Sequence, residues 1–344
     1  MNTIKIGIFR INNWPLGHLT LTHIFHNQNL AYTSISLNIF NLEFQELDVY
    51  EIYIKAGKIA SKVREYARSQ DHTGKTLSEI CNDIEQEIFK NGAEPAFPVN
   101  VSLNDIAAHY TAEPNDPITV KNTDVLKIDV GVHLDGYIAD TAVTVSYDSK
   151  YQNLVDTAER ALDEAINMAR SNTRVSDIGR IIEKTITKYG CKPIQNLSGH
   201  SLERYTIHAG KSIPNIWTIG HSFNLSVNNV YAIEPFVTTK DGQGVVYEGK
   251  VKNIFGIASR KRTKDQKADD FLEYLWNKFK TLPFALRWIV NEYEEKEALS
   301  LIGLLIKKKN LHAYPILVEG ANRIVAQAEH TIIPQECDTI TITK

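Results

Sequence analysis

The stretch Lys127–Ser146 reads KIDVGVHLDGYIADTAVTVS and has the pattern of a β-hairpin, with two β-branched runs around Asp135-Gly136. Asp129 lies inside the first run and Asp140 inside the second, although aspartate is depleted in strands and costly to bury alone. A two-residue loop pairs Asp140 with Gly131, whereas a four-residue loop pairs it with Asp129. Either register places both carboxylates on one face, because alternate residues of a strand share a face.

Two carboxylates at this separation repel each other unless a proton or a cation lies between them. Hard divalent cations bind carboxylate oxygens, so a dinuclear metal site accounts for the pair; a partly exposed hairpin with solvated aspartates is the alternative. Further candidate ligands lie in or beside strand-like segments later in the chain: His200, His208, Glu234 and Glu329. Four carboxylates and a histidine are enough to fill two metal sites that share a water.

The order of elements along the chain indicates an internal repeat. Periodic apolar residues predict two helix pairs, one from about residue 54 to Gly92 and one from Leu154 to Gly190. Each pair is followed by a proline, a histidine and a strand that ends in an acid. The corresponding residues are Pro95 and Pro193, His109 and His208, and Asp129 and Glu234. An α/β fold of two similar halves is therefore expected, with chance similarity as the alternative.

The character of the sequence changes between residues 256 and 316, where three short helices precede a strand pair, YPILV and RIVAQ. This pattern resembles a winged-helix module inserted into a main domain formed by residues 51–255 and 317–344. The segment carries 12 Lys or Arg and 8 Asp or Glu, an excess too small to indicate a nucleic-acid surface. Residues 1–50 show no settled period and are expected to be a peripheral or disordered extension.

The overall composition argues against several classes of protein. The net charge of −3 gives no general attraction to nucleic acid or acidic membranes. Three scattered cysteines fit reduced thiols rather than a disulfide framework. No uninterrupted apolar run approaches the roughly 18 residues of a membrane span. The sequence predicts a cytoplasmic protein and gives no reason to expect more than a monomer.

Five motifs carry a family resemblance: AFPVNVSLNDIAAHY, KIDVGVHLDGYIADTAVTV, NLSGHSLERYTIHAGKSIPNI, AIEPF and AEHTI. In this order and spacing they resemble the methionine aminopeptidases of type 2, of the archaeal kind, from about Ala56 to the C-terminus. The resemblance includes the insertion at 256–316 and implies the pita-bread fold, which has two pseudo-symmetric α/β halves. One departure is Ala328, where the family often has phenylalanine.

The resemblance also implies roles for individual residues. The ligands of two divalent metal ions (Co, Mn, Fe or Zn) would be Asp129, Asp140, His200, Glu234 and Glu329. Glu234 would in addition shuttle a proton, His208 would donate to the oxyanion, and His109 would hydrogen-bond the peptide nitrogen. The pocket for the methionine side chain would consist of Phe97, Ile207 and Tyr314, with His109 on its rim.

The implied activity is removal of the N-terminal methionine from proteins and peptides with a small second residue, by a hydroxide that the two metals activate. The partners are then the N-termini of nascent polypeptides, with transient ribosome contact and with no membrane or specific nucleic acid. The alternatives are an X-Pro dipeptidase or aminopeptidase P of the same fold, and a non-catalytic pita-bread protein that binds nucleic acid or ribosomes. Because many archaeal members begin near the first helix, Leu47 or Val49 is an alternative first residue.

Overall fold

The helical parts of the sequence form six α-helices within residues 31–219 and 223–344, the residues that the computed structural model describes. They are α1 (Ala31–Ser69), α2 (Leu77–Lys90), α3 (Gln152–Met168), α4 (Val175–Lys188), α5 (Gln266–Phe279) and α6 (Glu295–Lys307). None of these helices combines the length and apolar character needed to cross a bilayer. The predicted extension at residues 1–50 lies outside the described residues except for its part of α1, and Val49–Lys344 forms one unit.

The strands of the described residues form one large sheet and three small ones. In chain order they are β1 (Glu94–Pro95), β2 (Asn100–Leu103), β3 (Ile106–Ala108), β4 (Val125–Leu134), β5 (Tyr137–Ser146), β6 (Lys192–Pro193), β7 (Ser198–Leu202), β8 (Ser212–Pro214), β9 (Val230–Ile233), β10 (Phe236–Thr238), β11 (Val246–Glu248), β12 (Ile254–Ile257), β13 (Phe284–Ala285), β14 (Leu311–Tyr314), β15 (Leu317–Glu319), β16 (Val325–Gln327), β17 (Glu329–Pro334) and β18 (Thr339–Thr341). The large sheet has the order β1-β4-β5-β17-β9-β7-β8, with β2 also paired to β4 and β18 to β17.

The repeat predicted from the sequence is present as two similar halves. In the first half α1 and α2 precede β1 and β4, and in the second half α3 and α4 precede β6 and β9. Gly92 and Gly190, which follow α2 and α4, have the same positive φ of 76°, a conformation that glycine adopts without strain. A capping box formed by Thr76 and Glu79 begins α2.

Each helix pair covers the strands of its own half. Ile128 and Val130 of β4 pack against α1 and α2 in one apolar cluster. Tyr231 and Ile233 of β9 pack in a second cluster with α3 and α4. Because side chains alternate along a strand, the residues between these apolar positions, such as Asp129, point to the opposite face of the sheet. The helices therefore leave that face free for the functional site.

The hairpin Lys127–Ser146 adopts the shorter of its two possible loops. Leu134 pairs with Tyr137, and Gly131 pairs with Asp140. The two loop residues between the strands, Asp135 and Gly136, have φ values of 48° and 83°. Positive φ at both positions is the requirement of a type I′ turn, which an Asp-Gly pair satisfies.

The predicted hairpin between YPILV and RIVAQ is wrong. β15 pairs with β11 and β3, whereas β16 pairs with β10. The cause is the turn at Glu319. Its buried carboxylate accepts hydrogen bonds from the backbone N–H groups of Ala321 and Arg323 in that turn, at 2.7 and 3.1 Å, and from Gly244 in the loop between β10 and β11, at 2.9 Å. These bonds direct the two segments to different partners.

The insertion contains two α-helices rather than the three that its periodicity predicts. Between α5 and α6, where the middle one of these three helices would lie, the chain forms a single turn of 3₁₀-helix, Leu286–Trp288. Helices α5 and α6 accompany the small sheet β13-β12-β14, which includes residues from Ile254 to Tyr314. The likeness to a winged-helix module is not confirmed.

A buried ion pair connects the insertion to the first half. Both guanidinium NH groups of Arg287 donate to the carboxylate of Glu85 in α2, and both side chains are only 5% exposed. The indole of Trp288 donates to the same carboxylate at 2.8 Å, and the backbone N–H of Val99 donates to it at 3.1 Å. Because the Glu85 carboxylate accepts hydrogen bonds from both the insertion and the main domain, it fixes the insertion against α2.

Removing one partner of this pair leaves a buried charge without its counterion. The Arg287→Ala variant is therefore expected to lower the free energy of unfolding by about 3–5 kcal/mol, measured by urea denaturation. The control is Arg204→Ala, which removes an exposed pair with Asp135 and should cost less than about 1 kcal/mol. Equal effects of the two substitutions would contradict the assigned role of the Glu85–Arg287 pair.

Candidate metal centre

The register of the large sheet places the three predicted carboxylates of β4, β5 and β17 on one face. Asp129 pairs with Ala142 of β5, and Ala142 pairs with Glu329 of β17. Asp140 pairs with Gly131, which lies two residues from Asp129. Since paired residues point to the same side of a sheet, and residues two apart do so as well, the three carboxylates share this face.

The second half adds the remaining two predicted ligands to the same face. Thr331, two residues after Glu329, pairs with Ala232 of β9, and Ala232 pairs with His200 of β7. Glu234 follows two residues after Ala232, immediately beyond the end of β9. The five predicted ligands thus come from four neighbouring strands and the end of β9, and both halves contribute.

Small residues separate the ligands and leave space above the sheet. Gly131, Ala142 and Ala232 lie on the ligand face at the paired positions. A Cβ atom at Gly131 would lie 2.2 Å from the ring of Phe97, so this position accepts only glycine while that ring keeps its place. The ring of Phe97 can therefore approach the strand beside the carboxylates.

The functional groups of these residues converge. The Nε2 atom of His200 lies 3.7 Å from Oδ2 of Asp140 and 3.5 Å from Oε1 of Glu234. Asp140, His200 and Glu329 each offer a ligand atom, and these atoms lie within 4.8 Å of one another. This arrangement brings all five side chains to one region of the sheet and gives oxygen and nitrogen donors suited to divalent metal ions.

Unsatisfied polar atoms indicate that a cation fits at this region. Among the described residues, Oδ1 of Asp129, Oδ1 of Asp140 and Oε1 of Glu329 are buried and have no hydrogen-bond partner. Most buried polar atoms in proteins are paired, so three unpaired carboxylate oxygens from residues that line one cavity call for a positively charged ligand. The donor set therefore fits a metal centre.

A cavity of about 340 Å³ opens above the five side chains. Its wall includes every residue that the sequence analysis assigns to the site: Phe97, His109, Asp129, Asp140, His200, Ile207, His208, Glu234, Tyr314 and Glu329. The His208 ring lies 4.5 Å from the His200 ring, and the His109 ring lies 5.7 Å from the Tyr314 ring, measured between centroids. The cavity thus has an acidic floor, with histidines and apolar side chains on its walls.

Comparison with known proteins identifies the family. The model of metallopeptidase family M24 matches residues 51–252. The chain belongs to metallopeptidase family M24. A methionine aminopeptidase of Pyrococcus abyssi is 45% identical over 291 residues, which cover 85% of this chain and 98% of that protein. A methionine aminopeptidase of Methanocaldococcus jannaschii is 43% identical and is covered to 97%.

Solved structures share the M24 fold at lower sequence identity. A methionine aminopeptidase from Rickettsia prowazekii superposes with a TM-score of 0.62 at 19% identity, covering 86% of this chain and 97% of that one. A thermophilic Arx1 gives a TM-score of 0.73 at 17% identity, with coverage of 86% and 91%. A prolidase from Pyrococcus furiosus gives 0.55 at 18% identity, with coverage of 86% and 63%. These likenesses confirm the pita-bread fold and do not by themselves separate the activities.

The carboxylates of this M24 peptidase hold protons more tightly than free acids do. Burial raises the pKa of Asp129 to about 7. Burial, followed by the charges of the neighbouring carboxylates, also raises the pKa values of Asp140, Glu234 and Glu329. Burial lowers the pKa of His200 to about 3, and the charge of His208 acts in the same direction. His200 is therefore neutral at pH 7, the form in which an imidazole binds metal.

One residue beside the candidate metal centre, Gln327, was not predicted from the sequence. The side-chain amide of Gln327 donates long hydrogen bonds to Glu234 and Glu329, at 3.5 and 3.4 Å. Strand alternation could have found Gln327, because it lies two residues before Glu329. Ala328, the departure from the family pattern, is buried in the apolar cluster against α3 and α4, so it alters packing and no ligand.

Removal of metal is expected to make the folded peptidase sensitive to a rise in pH. The pKa of Asp129 is raised to about 7 in the folded chain, against about 3.9 in an unfolded one. The folded state then binds more protons, so this group's stabilisation is complete below about pH 4 and is lost as the pH rises through about 7. The rise in the midpoint of thermal unfolding when Co²⁺ replaces EDTA should therefore be larger at about pH 8, where the carboxylates have lost this proton, than at about pH 5.

The control for this experiment is the return of metal. Adding Co²⁺ at the higher pH should raise the midpoint again, because the cation replaces the lost protons between the carboxylates. An equal rise of the midpoint at both pH values, or no response to Co²⁺ at either, would contradict the repulsion assigned to the carboxylates.

Proposed function

We propose that this M24 metallopeptidase is a methionine aminopeptidase of type 2, which removes the N-terminal methionine from polypeptides with a small second residue. The observation that carries the proposal is the convergence of four carboxylates and a histidine on the floor of one cavity. Relatives named methionine aminopeptidase that align over nearly their whole length support the activity. The insertion between β12 and β14 supports the assignment to type 2.

Asp129, Asp140, His200, Glu234 and Glu329 would hold two divalent metal ions. When bound, the ions supply a water that ionises near neutral pH and a positive charge that polarises the peptide carbonyl. Carboxylate and imidazole donors suit Co, Mn, Fe and Zn alike, so the ligand set is compatible with each of these ions. The unpaired oxygens of Asp129, Asp140 and Glu329 are available for this purpose.

Glu234 is suited to move a proton as well as to hold metal. In the metal-free site, burial and then the charge of Asp129 raise the pKa of its carboxyl above the usual value, so the group holds a proton more tightly than an exposed glutamate does. Its backbone carbonyl accepts a hydrogen bond of 3.2 Å from the amide of Asn215, which helps to fix the residue at the end of β9. Glu234 accepts the proton of the attacking water and delivers it to the leaving nitrogen.

His109 is held in the tautomer that can accept a hydrogen bond from the substrate. Its Nδ1 atom lies 3.3 Å from the carbonyl oxygen of Pro315, which can only accept, so Nδ1 carries the proton. Burial lowers the pKa of His109 to about 4, and its neutral ring therefore presents an unprotonated Nε2. That atom accepts the N–H of the peptide, while His208, beside His200, donates to the carbonyl oxygen as charge develops there.

Phe97, Ile207 and Tyr314 form the apolar part of the cavity wall, where an unbranched thioether side chain fits. Gly131 allows the Phe97 ring to lie close against β4. A pocket of this kind discriminates by size, and one methylene group changes binding by only about 1–3 kcal/mol. Norleucine at the first position should therefore be released too, whereas branched or charged residues should not.

The proposed substrate also defines where the peptidase works. N-termini of nascent polypeptides are available in the cytoplasm, where a transient contact with the ribosome would bring the enzyme to them. The three cysteines are free thiols, which fits a reducing compartment. Each chain contributes all five metal ligands of its own site, so a monomer suffices for the reaction.

The test of the proposal is release of methionine from a Met-Ala-Ser peptide by the Co²⁺-loaded protein. Release should stop in EDTA and return with added metal. Peptides that begin X-Pro, where X is a residue other than Met, should not be hydrolysed. Preferential hydrolysis of such X-Pro peptides would replace the proposal with an X-Pro peptidase. A protein that binds RNA but neither metal nor peptide would replace it with a non-catalytic function.

The His208→Ala variant tests the assigned roles within the site. Loss of one donor to the developing oxyanion should lower kcat on Met-Ala-Ser about 10²–10³-fold. The bound metal, measured by mass spectrometry of the purified variant, should equal that of the unmodified protein, because His208 is not a ligand. Parallel loss of metal and activity would make His208 a ligand and contradict the assignment.

A further inference from the structure

Lys127 places an amine inside the protein on the ligand-bearing face of β4, two residues before Asp129. Its side chain belongs to a residue that is 1% exposed. The Nζ atom donates to the carbonyl oxygens of Asn104 and Val325, each at 3.0 Å. Burial opposes the charge and lowers the pKa of the amine to about 7. A methionine or leucine would fill the same space without this cost, so the amine's hydrogen bonds require an explanation.

The two acceptors belong to segments that are far apart in the sequence. Asn104 lies in the turn between β2 and β3 with a φ of 51°, and its N–H donates to the carbonyl of Val125 at 2.8 Å. The Asn104 carbonyl also accepts the N–H of Val325 at 3.0 Å. Lys127, the third residue of β4, therefore joins the β2–β3 turn and the first residue of β16 to the start of that strand.

A second side chain of the same hairpin holds the other end of β16. Thr144 pairs with Lys127 across β4 and β5. Its hydroxyl donates to the carbonyl of Gln327 at 2.7 Å and accepts the Gln327 N–H at 2.8 Å. β16 is thus attached to the hairpin at Val325 by Lys127 and at Gln327 by Thr144.

The end of β16 leads directly into the metal centre. The amide of Gln327 contacts the carboxylates of Glu234 and Glu329, and Glu329 begins β17 two residues later. A shift of β16 along the hairpin would therefore move Gln327 and Glu329 relative to Asp129. A metal pair requires its ligands at fixed separations, and residues behind the ligands commonly control this.

We propose that Lys127 is a positioning residue of the metal centre, which fixes β16, and with it Gln327 and Glu329, by donating to the carbonyls of Asn104 and Val325. This inference rests on the proposed two-metal function. Lys127 touches neither metal nor substrate in this role and acts through the backbone of β16. The role differs from simple packing because it requires N–H donors and not merely the volume of the side chain.

The Lys127→Met variant keeps the volume and removes the donors. Calorimetric titration of the metal-free variant with Co²⁺ should show affinity reduced about 10–100-fold, and the visible absorption spectrum of bound Co²⁺ should change with the ligand geometry. kcat on Met-Ala-Ser should fall by a similar factor, while KM changes less than about threefold because the substrate pocket is untouched. A folded variant with the Co²⁺ affinity and kcat of the unmodified protein would overturn the proposal.

The matched control is Arg287→Met, which also removes a buried basic group but lies outside the cavity wall. It should lose thermal stability yet keep a Co²⁺ affinity within about threefold of the unmodified protein. Equal loss of Co²⁺ affinity in both variants would mean that general destabilisation weakens the centre, and would overturn a specific role for Lys127.

If the Lys127→Met variant does not fold, the proposal is tested by adding propylammonium to the Lys127→Ala variant and measuring its fold and its Co²⁺ binding. Propylammonium replaces the deleted Cγ, Cδ, Cε and Nζ atoms, and recovery of both fold and Co²⁺ binding supports the proposal. Failure of the amine to restore Co²⁺ binding overturns it. Measurements on the unmodified protein separate the proposed function from the role of Lys127. If the unmodified protein binds no metal and releases no methionine, the proposed function fails. If it is active and the Lys127→Met variant behaves identically, only the role of Lys127 is refuted.

Discussion

Repulsion among four carboxylates on one face of the large sheet is the constraint on which the rest of the structure depends. Asp129, Asp140, Glu234 and Glu329 are largely removed from water, and their pKa values are raised as a result. Such a cluster is stable only with bound protons or with cations between the oxygens. Cations between the oxygens would relieve this repulsion, so metal binding is expected to stabilise the folded state.

The two halves of the fold make this cluster possible. The first half supplies Asp129 and Asp140 from one hairpin, and the second supplies His200 and Glu234. β17 lies between β5 and β9, joins the halves in one sheet and adds Glu329 at the seam. Each half places its helices on the opposite face, which keeps the ligand face open to a cavity while its floor is shielded from bulk water. Neither half alone contains the complete centre.

Local signals were enough to predict the hairpin, the helix pairs and the repeat, because an Asp-Gly loop, periodic apolar residues and terminal glycines act within a few residues. The roles of the five ligands came from the family resemblance. Pairings decided by distant contacts could not be predicted. YPILV has the composition of a strand, but its partner is set by the Glu319 carboxylate and by β11. Lys127 looked like an ordinary strand residue, since both of its acceptors are backbone atoms that no sequence pattern marks.

Anomalous diffraction from crystals grown with Co²⁺ tests the central claim most directly. We expect two cobalt peaks about 3.5–4 Å apart in the cavity above β4 and β5, surrounded by oxygen or nitrogen atoms of five residues: Asp129, Asp140, His200, Glu234 and Glu329. A cavity without cobalt, or cobalt bound by other side chains while these five point apart, would contradict it.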